Sequence, residues 1–300
     1  MKTVKEIEFR QRIERGIDKM SASTVAICVL ARDCEETLGG GIDFIESLRK
    51  FFKESYVVVI ENDSRDNTKA ILRDWEKNKR GVYLKSEDYN LSQVSKKPGV
   101  RSHGYAYSAA RIAPMARYRN QYLEFVRDNF QVDYLIAIDS DVFRIELEGI
   151  LNSFGFEEDW DCITSNGRKV TLNHPIFPSF YDSYAFKEEG DRQPTTIKKM
   201  RHTQKKYKNL KSGMDFIRIL SGFNGLAIYR WEAIKNIQYR LKENNDEVVK
   251  FNCEHVTFHE DMARLGYDKI YLNPSQIVIY DKVTIPWYLK QVKKAVRRLF

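Results

Sequence analysis

Three apolar runs of strand length, Thr24–Ala31, Tyr56–Ile60 and Tyr134–Ile138, each end within two residues of an acidic side chain. A run with no polar alternation belongs to a strand covered on both faces, which is the pattern of a parallel sheet sandwiched between helices. Helices are expected over about 37–52, 66–77 and 109–129, so strands and helices alternate. That alternation predicts a doubly wound α/β domain. Further strands are expected at Gly81–Leu84, Asp161–Ser165, Gly225–Tyr229 and Lys269–Leu272, and helices at Glu146–Phe154 and from Trp231. A polar helix over about 4–20 carries Ile7, Phe9, Ile13 and Ile17 on one side, and 86–104 is expected to be a loop. No Pro/Gly/Ser linker divides the chain, so 1–283 is expected to be one domain whose first 22 residues form the N-terminal helix.

The formal charge of +8 is uneven. Residues 187–212 carry +6 and residues 284–300 carry +5, leaving the main body slightly acidic. A nucleic-acid protein more often spreads its cations over the fold, so no nucleic-acid partner is expected. The 187–212 stretch reads either as a lid or as a solvated insertion. From Trp287 on, Tyr288, Leu289, Val292, Val296, Leu299 and Phe300 fall mostly on one helical face, with five cations opposite. That is the composition of an interfacial helix drawn to anionic lipid, or of a helix packed on the domain with a basic outer face. No apolar run approaches a membrane span and the first 20 residues are charged throughout, so a cytoplasmic protein is expected, peripheral at a membrane face. Cys28, Cys34, Cys162 and Cys253 show no C-x-x-C spacing and are expected to be reduced and buried.

Ligands of open α/β sheets lie off the carboxyl ends of the strands. Three acidic clusters fall there: Asp33 in Ala31-Arg32-Asp33; Glu61, Asp63 and Asp66; and Asp139 with Asp141. Hard carboxylate oxygens in that position suit Mn²⁺ or Mg²⁺ bridging a diphosphate. The bland reading of each cluster is a solvated turn with capping aspartates. Gly39-Gly40-Gly41 lacks the ending of a phosphate loop and is read as a loop. His259-Glu260-Asp261 is expected to open a helix, where the dipole favours carboxylates. An acid there could serve as a base or hold an acceptor hydroxyl, and His255 or His259 could ligate a metal.

The order of several longer motifs is more particular. Arg111-Ile-Ala-Pro-Met-Ala-Arg-Tyr-Arg-Asn-Gln-Tyr-Leu123 precedes the acidic pair, and Asp161-Cys-Ile-Thr164, Phe180-Tyr-Asp-Ser-Tyr184, Phe223-Asn-Gly-Leu-Ala-Ile-Tyr229 and Cys253–Gly266 follow it. Together with Glu-Asn-Asp-Ser after the second strand, the series resembles the GT-A nucleotide-sugar glycosyltransferases. Within these it resembles the fungal capsule-associated α-1,3-mannosyltransferases of glycosyltransferase family 69. The resemblance implies metal-dependent transfer of a hexose, mannose from GDP-mannose with retention, onto a glycan or lipid-linked carbohydrate hydroxyl. It places Asp141 on Mn²⁺ or Mg²⁺ and Asp139 on the ribose or metal-bound water, with His259 as a further candidate ligand. It also implies Ala31, Arg32, Glu61 and Asp63 near the nucleoside, and Arg119 and Asn120 facing the donor sugar or diphosphate. Asn224 and Gly225 would sit near sugar and acceptor, and Glu260 and Asp261 near the reacting centre as catalytic residues. Two alternatives stay open: an inverting enzyme using a UDP-sugar with Asp261 as base, and a non-enzymatic basic carbohydrate- or nucleic-acid-binding protein.

Overall fold

The computed structural model describes residues 4–89, 105–171 and 174–280. The sequence-predicted basic helix over 284–300 lies outside them. The first half alternates as expected: α1 (Val4–Ser21), β1 (Thr24–Ala31), α2 (Glu35–Arg49), β2 (Glu54–Asn62), α3 (Thr68–Asn78), β3 (Val82–Glu87), α4 (Ala109–Asn129) and β4 (Tyr134–Asp139). The second half is β5 (Arg144–Ile145), α5 (Leu147–Phe154), β6 (Cys162–Thr171), β7 (His174–Phe180), β8 (Lys187–Glu188), α6 (Ile197–Lys206), β9 (Ile217–Ser221), β10 (Leu226–Arg230), α7 (Trp231–Ile234), α8 (Glu254–Arg264) and β11 (Ile270–Ile279).

All eleven strands share one sheet, ordered β3-β2-β1-β4-β10-β6-β11-β9-β8, with β5 on β11 and β7 on β6. The first four strands are parallel; β10 then enters antiparallel to both β4 and β6, and the sheet beyond is mixed. The chain runs outward from β1 to β3 and returns to place β4 on the other side of β1. That reversal is the switch point at which such sheets open a crevice. Val25, Ala26 and Ile27 of β1 are fully buried, because α1, α2, α3 and α5 cover one face while α4 and α8 cover the other. Burying each large aliphatic side chain contributes about 1.5–3 kcal/mol, which is why these runs tolerate no polar residue.

Several local expectations are corrected. Gly39-Gly40-Gly41 lies inside α2, not in a loop. The buried residues of α1 are Gly16 and Met20, whereas Ile7 and Ile17 are exposed. Gly16 is required because a Cβ there would stand 1.9 Å from the Leu151 carbonyl oxygen, so α1 packs backbone to backbone on α5. The irregular reading of 167–212 is replaced by the end of β6, β7, β8 and α6. The helix expected to open at His259 begins at Glu254, which puts His259 in its middle. All four cysteines are buried and unpaired.

Candidate active site

The register of the parallel strands aligns their acidic ends. Ala31 pairs with Glu61 and Leu30 with Asp139, so three carboxylate-bearing loops leave the sheet side by side. The first two loops are sewn together. The Asp33 N–H donates to Ser64 Oγ at 3.1 Å, Arg65 N–H donates to Asp33 Oδ1 at 2.8 Å, and Cys34 N–H donates to Thr68 Oγ1 at 2.9 Å. Asp33 and Asp63 both adopt left-handed backbone, φ 46° and 51°, which aspartate tolerates better than most residues.

Glu61 is fully buried, and both of its oxygens are engaged: Oε1 accepts the Ser64 N–H at 2.8 Å and Oε2 accepts the Ser86 hydroxyl. Its carboxylate therefore shapes the turn that presents Asp63, and faces no ligand itself. Ala31 is likewise buried, so only its backbone can border a ligand. Arg32 stays exposed, 3.9 Å from Asp33. Burial pushes the Tyr118 phenol up, and the Asp63 charge pushes the same way, which places α4 against the loop that carries Asp63.

At the end of β4, the Asp139 N–H donates to the Gly225 carbonyl at 2.9 Å. Its Oδ2 accepts the Tyr280 hydroxyl at 2.9 Å and its Oδ1 lies 3.7 Å from Arg119 Nη2. Arg119 is buried at 3% exposure over the Phe223 ring, and its Nε donates to Glu254 Oε1 at 3.2 Å. A guanidinium so deep is stable only with its anions in place. Burial pushes Asp139 up to about 7; Asp141 adds to the rise and Arg119 opposes it. Asp141 itself stands exposed two residues on.

A third carboxylate joins this pair. Asp182 has left-handed backbone, φ 51°, and its Oδ2 accepts the Asn224 N–H at 3.2 Å. Burial raises its carboxyl to about 6, with Glu254 adding and Arg111 opposing. Asp182, Asp141 and Asp139 all act on the Tyr181 phenol, which burial first of all pushes upward. Beside them Asn224, fully buried with φ 59°, keeps both atoms of its side-chain amide without a partner. A buried amide left unsatisfied costs about 1–3 kcal/mol, so such a group is expected to meet a polar ligand. Gly225 has φ 88°, and a Cβ there would lie 2.5 Å from the Tyr280 hydroxyl, so only glycine fits.

The donor set suits a small hard cation. Mg²⁺ and Mn²⁺ take one or two carboxylates and complete their shell with phosphate oxygens and water. Asp139 and Asp141 supply that number. Among the described residues there is no group of three or more His, Cys, Asp or Glu side chains able to hold a metal alone.

Five sequence-predicted residues fall elsewhere. His259 is buried in the core, with Nδ1 3.0 Å from Ser221 Oγ and Nε2 3.2 Å from the Tyr229 hydroxyl. Burial pushes it down to about 3, and both ring nitrogens face core hydroxyls instead of the carboxylate cluster. Asn120 clamps Tyr239, donating to its carbonyl at 2.9 Å and accepting its N–H at 2.7 Å, and does not face a donor. Glu260 is paired with Lys242 at 2.6 Å, and Asp261 with Arg240 at 2.6 Å and Arg264 at 2.7 Å. Both lie about two helical turns beyond Glu254, outside the Arg119–Asp139 network. His255 stacks on Phe223 at 4.0 Å and is held neutral by burial. Arg111, Asp182, Glu254 and Tyr280 are the residues that sequence reasoning missed. The first three lie inside motifs already singled out, but nothing local distinguished them from the acids and cations around them.

The family model described as Cryptococcal mannosyltransferase 1 matches residues 24–261. The chain belongs to that family. This family member is a glycosyltransferase, and its helix-flanked, mainly parallel α/β sheet is the architecture expected for the GT-A type. None of the curated proteins compared with it matches. Among solved structures it is similar to the mannosyltransferase PcManGT from Pyrobaculum calidifontis in complex with GDP-Man and Mn²⁺, at 12% identity and TM-score 0.47, covering 98% of this chain and 72% of that one. It is also similar to glucosyl-3-phosphoglycerate synthase from Mycobacterium tuberculosis in complex with Mn²⁺, UDP and phosphoglyceric acid, at 14% identity and TM-score 0.46, covering 96% and 81%. S. aureus TarS 1-349 in complex with UDP-GlcNAc is similar at 16% identity and TM-score 0.46, covering 87% and 59%. Among the described residues no helix is long and apolar enough to cross a membrane.

Proposed function

We propose that this family member transfers a mannosyl residue from GDP-mannose, with retention, to a carbohydrate hydroxyl, and that it does so with Mn²⁺ or Mg²⁺. The observation that carries the reading is the convergence of Asp139, Asp141 and Asp182 with Arg119 and the partnerless Asn224 amide at the sheet's switch point. Asp63 and Arg32 border the nucleoside, with Glu61 holding their turn. Asp139 and Asp141 hold the cation, which when bound offsets the charge that collects on the departing diphosphate. Arg119, fixed by Glu254 and Phe223, orients Asp139 and adds a permanent positive charge behind it. The Asn224 amide receives a sugar hydroxyl, an assignment that satisfies its two orphaned atoms. Asp182 orients the incoming acceptor hydroxyl. The bond from the anomeric carbon to phosphate oxygen breaks, the bond to the acceptor oxygen forms, and the acceptor's proton leaves on the departing diphosphate.

Asp261, paired with two arginines, is a poor base for an inverting reaction. Asp182, raised to about 6, is the carboxylate able to take that role if the first-formed product is inverted. The acceptor's glycan or lipid-linked nature and any membrane contact through 287–300 belong to this proposal as partners. The test is transfer from GDP-mannose and from UDP-sugars with Mn²⁺, wild type against Asp141→Asn. A loss of about 100-fold or more with an unchanged melting temperature supports the reading. Full activity in the variant, or activity surviving a chelator, would overturn it.

A further inference from the structure

The basic insertion forms a cavity of about 700 Å³ between the β8 turn and the first turns of α6. That volume falls within the roughly 300–1,000 Å³ typical of small-molecule sites. Its wall includes Ser183, the residue after Asp182 in the chain. The feature that marks it as built is Thr195. This residue is buried at 4% exposure, and its backbone is clamped on both sides by Asn244, whose Oδ1 accepts the Thr195 N–H at 3.0 Å while its Nδ2 donates to the Thr195 carbonyl at 2.8 Å. Thr195 lines the cavity, and its buried hydroxyl has no partner. A rigidly held hydroxyl without a hydrogen bond is an incomplete site.

The charges on the wall choose the ligand class. Asp191 is paired with Lys199 at 2.8 Å and Glu188 with Lys206 at 2.7 Å. Lys187, buried, donates to the Gln193 carbonyl at 2.6 Å. Glu188, Glu189 and Asp191 therefore balance Lys187, Lys198 and Lys199 around the cavity, so an anion would meet as many carboxylates as ammonium groups. Phe186 and Met200 add an apolar face. Alternating donors, acceptors and a small apolar surface match a neutral sugar, whose hydroxyls both donate and accept.

We infer that this cavity is a carbohydrate subsite that holds the acceptor glycan, with the Thr195 hydroxyl as one of its contacts and Ser183 leading from it toward Asp182. The inference rests on the glycosyltransferase reading and extends it to the acceptor. The insertion is then a wall of the acceptor site and not a lid over the donor.

The test titrates the full chain with a neutral mannotriose and with a hexuronic acid trisaccharide, reading each by ligand-observed NMR, and separately with GDP-mannose and Mn²⁺ by calorimetry. Wild type is expected to bind the neutral trisaccharide in preference to the acidic one. Thr195→Val keeps the volume and the Asn244 clamp, so it should weaken the neutral trisaccharide about three- to tenfold and leave GDP-mannose unchanged. Lys198→Trp, on the exposed rim, should weaken the trisaccharide by a similar factor without touching the buried clamp, and it decides the matter if Thr195→Val melts early. Unchanged trisaccharide binding in both variants, no binding of it to wild type, or preference for the acidic sugar would each overturn the subsite. Failure of wild type to bind GDP-mannose would instead strike the donor reading, so the two failures are distinguishable.

Discussion

The two halves of the sheet do different work and are stabilised differently. Strands β3, β2, β1 and β4 are parallel, their buried side chains are apolar except for Glu61 and Asn62 at the end of β2, and the loops after β1 and β2 are held to each other by hydrogen bonds. Strands β10, β6, β11, β9 and β8 are mixed in direction, and polar residues penetrate their core: Thr164, Ser165, Asn166, Asn273 and Gln276 are all buried. The first half presents Asp63, Asp139 and Asp141. The loops, helix and strand packed with the second half return Asp182, Asn224, Glu254 and Tyr280 to the same point. In the proposed function the first half is the frame for a nucleotide diphosphate and the second is the wall for sugar and acceptor.

The largest expected effect breaks the joint between the halves. Arg119→Leu leaves Glu254 buried without its partner and Asp139 without its nearest cation. It should cost about 3–5 kcal/mol in a denaturant titration and abolish transfer. A variant that melts like wild type would show that the buried triad does not couple the halves. Next, Asp182→Asn should lower transfer by about 100-fold while leaving GDP-mannose binding within a factor of two or so, because its proposed role is to orient the acceptor hydroxyl. Equal losses in kcat and in donor affinity would place Asp182 in the donor half.

Much of the first half was legible because its physics is local. Unbroken apolar runs such as Thr24–Ala31 mean strands buried on both faces, and the turns that follow must carry the polar chemistry. The second half was not, because its decisive contacts span the chain: Arg119 meets Glu254 across 135 positions, and Tyr280 meets Asp139 across 141. No periodicity reports such pairs. The helix expected to open at His259 starts five residues earlier, so the acid that reaches Arg119 is Glu254 and not Glu260 or Asp261. Cys253 supplies no side-chain cap, so the usual capping signal was missing. Histidine spacing misled for the same reason, since His259 lies deep in the core with Ser221 and Tyr229.

Smaller effects sharpen the contrast. Gly225→Ala combines left-handed strain with a collision against the Tyr280 hydroxyl, and should cost about 1–3 kcal/mol on melting and displace the Asp139 contact. Tyr280→Phe in the same background should recover part of the loss. The proton on Asp139 gives a pH signature: with its carboxyl held up to about 7, a cation must displace that proton below neutrality. Mn²⁺ affinity should therefore rise as pH goes from 5.5 to about 7.5 and then level off, by at most about tenfold per unit. A flat profile measured by Mn²⁺ electron paramagnetic resonance would remove Asp139 from the metal. The smallest effect belongs to Glu260→Gln, whose partly exposed ion pair should be worth about 0–1 kcal/mol and whose loss should leave transfer intact.

The central claim is that Asp139 and Asp141, at the point where the two halves meet, join a divalent cation to a nucleotide diphosphate. Calorimetric titration of GDP-mannose, with and without Mn²⁺, into wild type and Asp141→Asn tests it most directly. The account predicts tight binding in wild type only when Mn²⁺ is present, and little dependence on Mn²⁺ in the variant. Identical metal dependence in both proteins, or donor binding indifferent to Mn²⁺ in wild type, would contradict it.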